Sequence, residues 1–258
     1  MVTKAVMNRV EWIDIAKGMG IYLMVFGHTT IPEALSNYIW MFHMPLFFIL
    51  SGVLYNGQLM SFGKFLGKRL HSLVIPYFFF FLIVLLFNHL TDRPITKSLF
   101  TIGDKVYTLW FLQVMFWTQI AYFMLSKIEK DGVRFLVIFL LSLVGYYLYQ
   151  NAIFLPYRLE VTAMALIYMG TAHVFRNKIC KLDFKVWISI LLVMLSMIYS
   201  LFIPRLDMAI NCYGSYIPNI IGAWLGTIAI ISISKNIGDS YLRIIKVVCT
   251  WGVKTALL

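Results

Sequence analysis

Apolar runs of about 20 residues recur along this sequence and alternate with short polar segments that contain lysine and arginine. A run of that length is enough for a helix to cross the hydrocarbon core of a bilayer. The pattern predicts eight complete membrane spans, at residues 12–29, 37–56, 72–90, 107–126, 133–150, 160–175, 186–203 and 217–234. A ninth apolar run begins near Ile244 and is still continuing at Leu258. The predicted fold is all-α, a polytopic transmembrane helix bundle that forms a single domain over residues 1–258.

The polar segments between these spans differ in charge from one side of the predicted bundle to the other. Segments on the side of the N-terminus contain fifteen lysines and arginines, and those on the opposite side contain five. Because cytoplasmic loops carry an excess of lysine and arginine, the N-terminus is predicted to be cytoplasmic. The protein is therefore expected to be a multi-pass protein of the cell membrane, whether that is an inner or a plasma membrane.

Composition excludes several other classes of protein. Of the 258 residues 61% are hydrophobic and only 13% are charged, which is unlike a soluble domain. The net charge of +11 does not indicate nucleic acid, since the basic residues lie in short loops and not in a basic domain. The three cysteines are scattered, so neither a disulfide framework nor a metal site is predicted. The expected surroundings are a lipid bilayer, without nucleic acid.

The first predicted span contains three ionisable residues, Asp14, Lys17 and His28. Each such group at membrane depth costs about 2.5–3.5 kcal/mol, so it usually lines an interior path or site. At 100° per residue, Lys17 lies about 60° from Asp14, and His28 lies about 20° from Lys17, so all three share one helix face. That face must contact protein or water. The three residues form a functional site, or else Asp14 and Lys17 form a structural ion pair and His28 is hydrogen-bonded between helices.

The second predicted span has His43 and Pro45 in its interior. A turn centred near Leu35–Ser36 places His28 and His43 seven or eight residues from it on either side, hence at similar depth in the outer half of the membrane. His43 then either belongs to the site of His28 or packs beside the kink at Pro45. Small residues on the first span allow close helix approach: Gly18, Gly20 and Gly27.

Four stretches of this sequence resemble, in order, the motifs of the acyltransferase-3 family of integral membrane O-acyltransferases. They are WIDIAKGMGIYLMVFGH, FHMPLFFILSG, KRLHSLVIPY and LWFL, all within the first 112 residues. The first resembles the family's opening helix, in which a basic residue and a histidine are separated by ten positions, here Lys17 and His28. Lys17 stands where many members have arginine. Lysine keeps the positive charge but cannot form the two parallel hydrogen bonds of a guanidinium group. The similarity is greatest to the sugar O-acetylase branch, which includes fucose 4-O-acetylase-like members.

The resemblance implies transfer of an acyl group, with acetyl the expected one, from acyl-CoA to a hydroxyl of a cell-surface sugar or its lipid-linked precursor. His28 is the expected general base, since imidazole titrates near the operating pH. Asp14 and Lys17 would form a polar floor, with Lys17 acting on the acyl donor or on the developing oxyanion. His43 is expected to orient His28 or to contact the acceptor. An acyl-histidine intermediate is an alternative to direct transfer.

The resemblance also assigns residues outside the first two spans. Lys68, Arg69 and Tyr77 are expected to bind acyl-CoA from the cytoplasmic side, although basic loops also occur for topology alone. Trp110 is expected near the acceptor or is an interfacial anchor. No resident cofactor is expected, because acetyl-CoA is a substrate. The stretch WGVKTALL resembles the beginning of a late family motif, so the C-terminal helices of the family are expected to be missing from this chain.

Two other classes of membrane protein compete with an acyltransferase. A transporter or flippase of a polysaccharide precursor also has intramembrane charges, but the sequence shows neither an inverted repeat nor paired broken helices. A structural scaffold would not explain the costly ionisable residues of the first span.

Overall fold

The computed structural model describes residues 11–90 and 109–239, and it confirms the all-α prediction for them. Each of the eight predicted spans overlaps one helix, and two short helices are added. The helices are α1 (Glu11–Gly27), α2 (Glu33–Val53), α3 (Phe62–Arg69), α4 (Ile75–Leu90), α5 (Trp110–Leu125), α6 (Asp131–Gln150), α7 (Leu159–Val174), α8 (Arg176–Lys181), α9 (Val186–Ser200) and α10 (Tyr216–Asp239).

Several of these helices have the length and composition of membrane spans. Within the described residues four stretches meet both requirements, Glu33–Leu59, Phe62–Phe87, Asp131–Gln150 and Tyr216–Gly238. Two shorter helices, α5 and α9, are also apolar. The count of eight spans and the cytoplasmic N-terminus stay predictions, and the predicted ninth span from Ile244 lies outside the described residues.

Helix α2 lies at the centre of the bundle and packs against α1, α7, α9 and α10. Its sequence is apolar on more than one face, as expected of a helix that is surrounded by others. Glycines allow the closest approaches. A Cβ at Gly20 of α1 would lie 2.8 Å from Leu46 of α2, and a Cβ at Gly52 of α2 would overlap the backbone oxygen of Met169 in α7. Such close contacts fix the position of α2 relative to its neighbours.

The turn between α1 and α2 covers residues 28–32, so the prediction of a turn centred near Leu35–Ser36 is wrong. Proline explains the difference. Pro32 disfavours helical geometry at Ile31, and its fixed φ is suited to the residues that begin a helix. Consequently α2 begins at Glu33, and its first turns extend beyond the end of α1.

Helices α3 and α4 are joined by a π-helical turn, Leu70–Val74, into one nearly continuous helix. Pro76 lies directly after this turn. Since proline lacks an N–H group and its ring crowds the carbonyl four residues earlier, the regular α-helical hydrogen bonding cannot continue there. Lys68 and Arg69 end α3, whose Phe65 packs against Tyr55 just beyond the end of α2, so they lie at the end of the bundle opposite His28.

Candidate active site

His28 is the first residue after α1, and its side chain is exposed. Its Nδ1 atom lies 2.7 Å from the carbonyl oxygen of Met24. Because a carbonyl only accepts hydrogen bonds, Nδ1 carries the proton in the neutral ring, and Nε2 keeps its lone pair. An accessible Nε2 with a lone pair is the atom that a general base requires.

Trp40 connects the groups around His28. The centroid of its ring lies 5.1 Å from that of His28 and 5.2 Å from that of His43. Its indole N–H donates to the carbonyl oxygen of Gly27 at 3.2 Å. Trp40 and His43 are three residues apart on α2, so they lie on the same helix face. The indole therefore holds the end of α1 against α2, at the residue that precedes His28.

His43 lies deeper in the bundle and is only 2% exposed. Its Nδ1 atom lies 3.0 Å from the carbonyl oxygen of Ile39, which again assigns the proton to Nδ1. The rings of His28 and His43 are 6.5 Å apart and nearly perpendicular. The structure thus brings the two predicted histidines together, one accessible and one buried.

The segment between α9 and α10 adds two charged residues that the sequence analysis did not identify. The guanidinium of Arg205 lies 4.1 Å from the centre of the Trp40 ring, on the ring face, as in a cation–π contact. Asp207 follows two residues later, and its carboxylate accepts a hydrogen bond from the N–H of Ala209 at 3.0 Å. Burial raises the pKa of Asp207, while this N–H and the charges of Arg205 and His28 act in the opposite direction. The signal in the sequence was the pair Arg205 and Asp207 in a segment on the side poor in basic residues.

Asp14 and Lys17 lie in the first two turns of α1, far from the two imidazoles. Both are partly buried, and both interact with neighbouring residues. Eleven residues separate Lys17 from His28, which is about 16 Å along a helix. The predicted residues of α1 therefore occupy two separate places.

Trp110 begins α5 and is only 8% exposed, within the main hydrophobic core. Among the described residues its ring contact is with Phe111, at 6.0 Å. Phe111 in turn packs against Phe47 and Phe48 of α2, at 5.6 Å and 5.4 Å. Trp110 thus lies outside the ring cluster of Trp40, and it supports the face of α2 that Phe47 and Phe48 occupy.

The predicted donor-binding residues lie at the opposite end of the bundle. The guanidinium of Arg69 lies 4.9 Å from the centre of the Phe65 ring, and Lys68 is exposed. Tyr77 is eight residues beyond Arg69, about 12 Å along the same helix, and its ring packs 5.5 Å from that of Phe78. In the described part of the chain no group of three His, Cys, Asp or Glu side chains is placed to hold a metal ion.

The fold and the site define a class: a bundle with several apolar, membrane-capable helices and an accessible imidazole at one end. Comparison with known families then identifies the chain within this class. A profile described as an acyltransferase domain matches residues 10–250. The chain belongs to the acyltransferase-3 family, which is membrane-integral, and the family resemblance of the first 112 residues is thereby confirmed.

Two relatives share a part of the sequence. The chain is 34% identical over 140 residues to the nodulation protein NolL of Sinorhizobium fredii. This alignment covers 47% of this chain and 37% of that protein. The chain is 31% identical over 138 residues to NolL of Mesorhizobium japonicum, covering 47% and 36%. The alignments thus span little more than a third of the length of these relatives. No solved structure matches the chain.

Proposed function

We propose that this protein is an O-acyltransferase of the cell membrane that moves an acyl group, expected to be acetyl, from acyl-CoA to a hydroxyl of a cell-surface sugar or its lipid-linked precursor. Family membership supports acyl transfer. The observation that carries the proposal further is His28, an exposed imidazole whose Nδ1 is held by the Met24 carbonyl. This arrangement leaves Nε2 to accept the proton of an incoming hydroxyl.

The chemistry balances with His28 as the only proton-transfer group. The acceptor oxygen attacks the thioester carbonyl carbon while Nε2 takes its proton. The tetrahedral intermediate then expels the CoA thiolate, and the imidazolium returns the proton to that sulfur. In the alternative route Nε2 of His28 attacks the thioester carbonyl carbon and expels the CoA thiolate. The sugar hydroxyl then attacks the acyl-histidine, the imidazole leaves, and the hydroxyl proton passes to the thiolate.

The residues around His28 have supporting roles in this proposal. Trp40 fixes the imidazole by packing against it and by binding the Gly27 carbonyl. His43 packs against Trp40 and lies 6.5 Å from the ring of His28, so it would orient His28 or contact the acceptor. Arg205 lies over the Trp40 ring and would supply a positive charge close to where an oxyanion develops. Trp110 is proposed to support the acceptor side indirectly, through Phe111 and α2.

The proposed topology has eight spans and a cytoplasmic N-terminus, so His28 lies toward the outer side and Arg69 toward the cytoplasm. Lys68 and Arg69 would meet the polyanionic end of acyl-CoA, and Tyr77 would line the route into the bundle. Asp14 and Lys17 would form the polar floor between the two ends. The donor and the acceptor would thus approach from opposite sides of the membrane.

The test is to replace the gene in its own host with one that encodes His28→Gln. Glutamine keeps polarity and a similar length but cannot act as a base at neutral pH. We expect surface glycan to lose its acyl group in mass spectra, and the purified variant to lose about 10²–10⁴-fold in turnover. His89→Gln is the matched control, since His89 is also exposed, near the end of α4. Near-normal transfer by His28→Gln, at normal membrane levels, would refute the role of His28.

A further inference from the structure

The segment that leads into α7 has an unusual backbone conformation. Tyr157 and Arg158 are consecutive residues in the left-handed region, with φ of 58° and 61°. This region is sterically unfavourable for large side chains, and where it occurs it is normally visited by single residues. Strained backbone persists only where surrounding contacts hold it, and it is concentrated at functional sites. We call residues 155–158 the strained turn.

Hydrogen bonds on two sides hold the strained turn in place. On one side, Nη2 of Arg158 donates to the carbonyl oxygen of Ala209 at 2.6 Å. On the other, the N–H of Leu155 donates to the carboxylate of Glu160 at 3.0 Å. Glu160 is fully buried, so this second bond is shielded from water. Pro156 also favours the extended backbone that Leu155 adopts. The turn is therefore a fixed part of the fold.

The hydrogen bond of Arg158 ties the strained turn to the segment that reaches the candidate active site. Ala209, which accepts this bond, lies four residues after Arg205. The guanidinium of Arg205 packs on the ring of Trp40, and Trp40 packs in turn against His28. A continuous series of contacts thus places the strained turn at the His28 end of the bundle, beside the ring cluster of Trp40.

The ring of Tyr157 lies at the surface and meets an aromatic side chain of α5. The centroids of Tyr157 and Trp117 are 5.8 Å apart, and the two rings are tilted by 47°. Tyr157 is 55% exposed and Trp117 is partly exposed, so together they present aromatic surface that the neighbouring helices do not cover. Aromatic residues that anchor a protein at the membrane interface are exposed in the same way, but they do not require a strained backbone.

We propose that Tyr157 and Trp117 bind the carbohydrate acceptor, at sugar units beyond the one that receives the acyl group. The choice of ligand rests on the proposed function. One face of a pyranose ring presents C–H groups, and these pack favourably on the electron-rich face of an aromatic ring. A tyrosine that the backbone already holds in place loses little conformational entropy on binding. Because the pair lies beside the ring cluster of His28 and outside it, the acceptor that fits both places is an oligosaccharide and not a single sugar.

The test compares acceptors of different length with the purified full-length chain and acetyl-CoA. The probes are fragments of graded length, cut by partial hydrolysis from the unacylated surface glycan of a host strain that lacks the gene. We expect kcat/KM of the wild type to rise with fragment length. Tyr157→Ala should remove this rise: kcat/KM should fall about three- to tenfold on the longest fragments and stay within about twofold on the shortest.

Two further variants control for the loss of the side chain. Tyr157→Phe keeps an aromatic ring and should behave like the wild type. Tyr147→Ala is the matched control, since Tyr147 is 62% exposed near the end of α6, and it should leave the dependence on fragment length unchanged. A change that only disturbed the fold would lower kcat/KM on short and long fragments alike.

Binding of the same fragments, measured by native mass spectrometry, separates this proposal from the proposed function. If the wild type binds the longest fragments through Tyr157 but transfers no acyl group, the acceptor-binding pair stands and the proposed transfer is wrong. If the wild type transfers acetyl and Tyr157→Ala lowers kcat/KM equally on every fragment, or on none, the pair is overturned and the proposed function stands. A wild type whose binding and transfer do not depend on fragment length also overturns the pair.

Discussion

The packing of α2 against α7 makes Gly52→Ala the most informative single change for the fold. A Cβ at Gly52 would overlap the Met169 carbonyl oxygen and would lie 2.9 Å from the Cβ of Ala172. Backbone atoms cannot rotate away, so the two helices must separate by roughly 1 Å to restore ordinary contacts. Overpacking of this kind costs about 1–3 kcal/mol. For a chain of this size the melting temperature in detergent should fall by about 2–4 °C for each kcal/mol.

The same change should reach the candidate active site, because α2 also carries Trp40 and His43. A displacement of roughly 1 Å at reacting groups can reduce turnover about 10²-fold. Gly67→Ala is the control, since a Cβ there meets nothing within 4 Å, and alanine in a helix should be neutral or stabilising by up to about 1 kcal/mol. If Gly52→Ala melts and turns over like the wild type while Gly67→Ala behaves as expected, α2 is not fixed by this contact and the reasoning fails.

Two further changes test the positions of Trp40 and Lys17. Trp40→Phe removes the indole N–H bond to Gly27 but keeps a ring, so kcat should fall about five- to tenfold with KM for the donor unchanged. The control, Trp187→Phe at an exposed position of α9, should have no effect. A normal kcat in Trp40→Phe would show that the hydrogen bond does not position His28. Lys17→Met should raise KM for the acyl donor and leave the pH profile of kcat unchanged, since that profile reports on His28. A shifted pH profile in steady-state kinetics would show that Lys17 acts on His28.

The positions of the helices were predictable from the sequence because apolar runs are a strong and local signal. Helix α6 covers Asp131–Gln150, within two residues of the predicted span at 133–150. The proximity of His28 and His43 followed from a hairpin of two adjacent helices, a contact between segments that are close in sequence. The turn itself was misplaced, since hydropathy alone does not show that Pro32 begins a helix.

The long-range contacts of the arginines were not predictable in the same way. Arg205 reaches Trp40 because the segment between α9 and α10 lies against α2, and no periodicity relates residues so far apart in the chain. Arg134 and Arg176 were counted as loop charges that set orientation. Arg176 donates a hydrogen bond to the Tyr55 carbonyl oxygen, a contact that depends on how the ends of α2 and α7 pack together. A charge count therefore gives the side of the membrane but not whether the charges form a site.

The distance between His28 and the predicted donor-binding residues constrains how the proposed reaction is arranged. Lys17 is about 16 Å from His28 along α1, so its ammonium cannot contact an oxyanion that forms beside His28. Its partly buried position suits instead the proposed path of the donor from Lys68 and Arg69 toward the imidazole. The phosphates of CoA are too costly to move through an apolar bundle, whereas the acyl-pantetheine arm is long, thin and uncharged. If the phosphates bind at one end and the acceptor hydroxyl at the other, as proposed, only this arm has to cross, and a polar residue along its path, such as Lys17, would stabilise its amide groups.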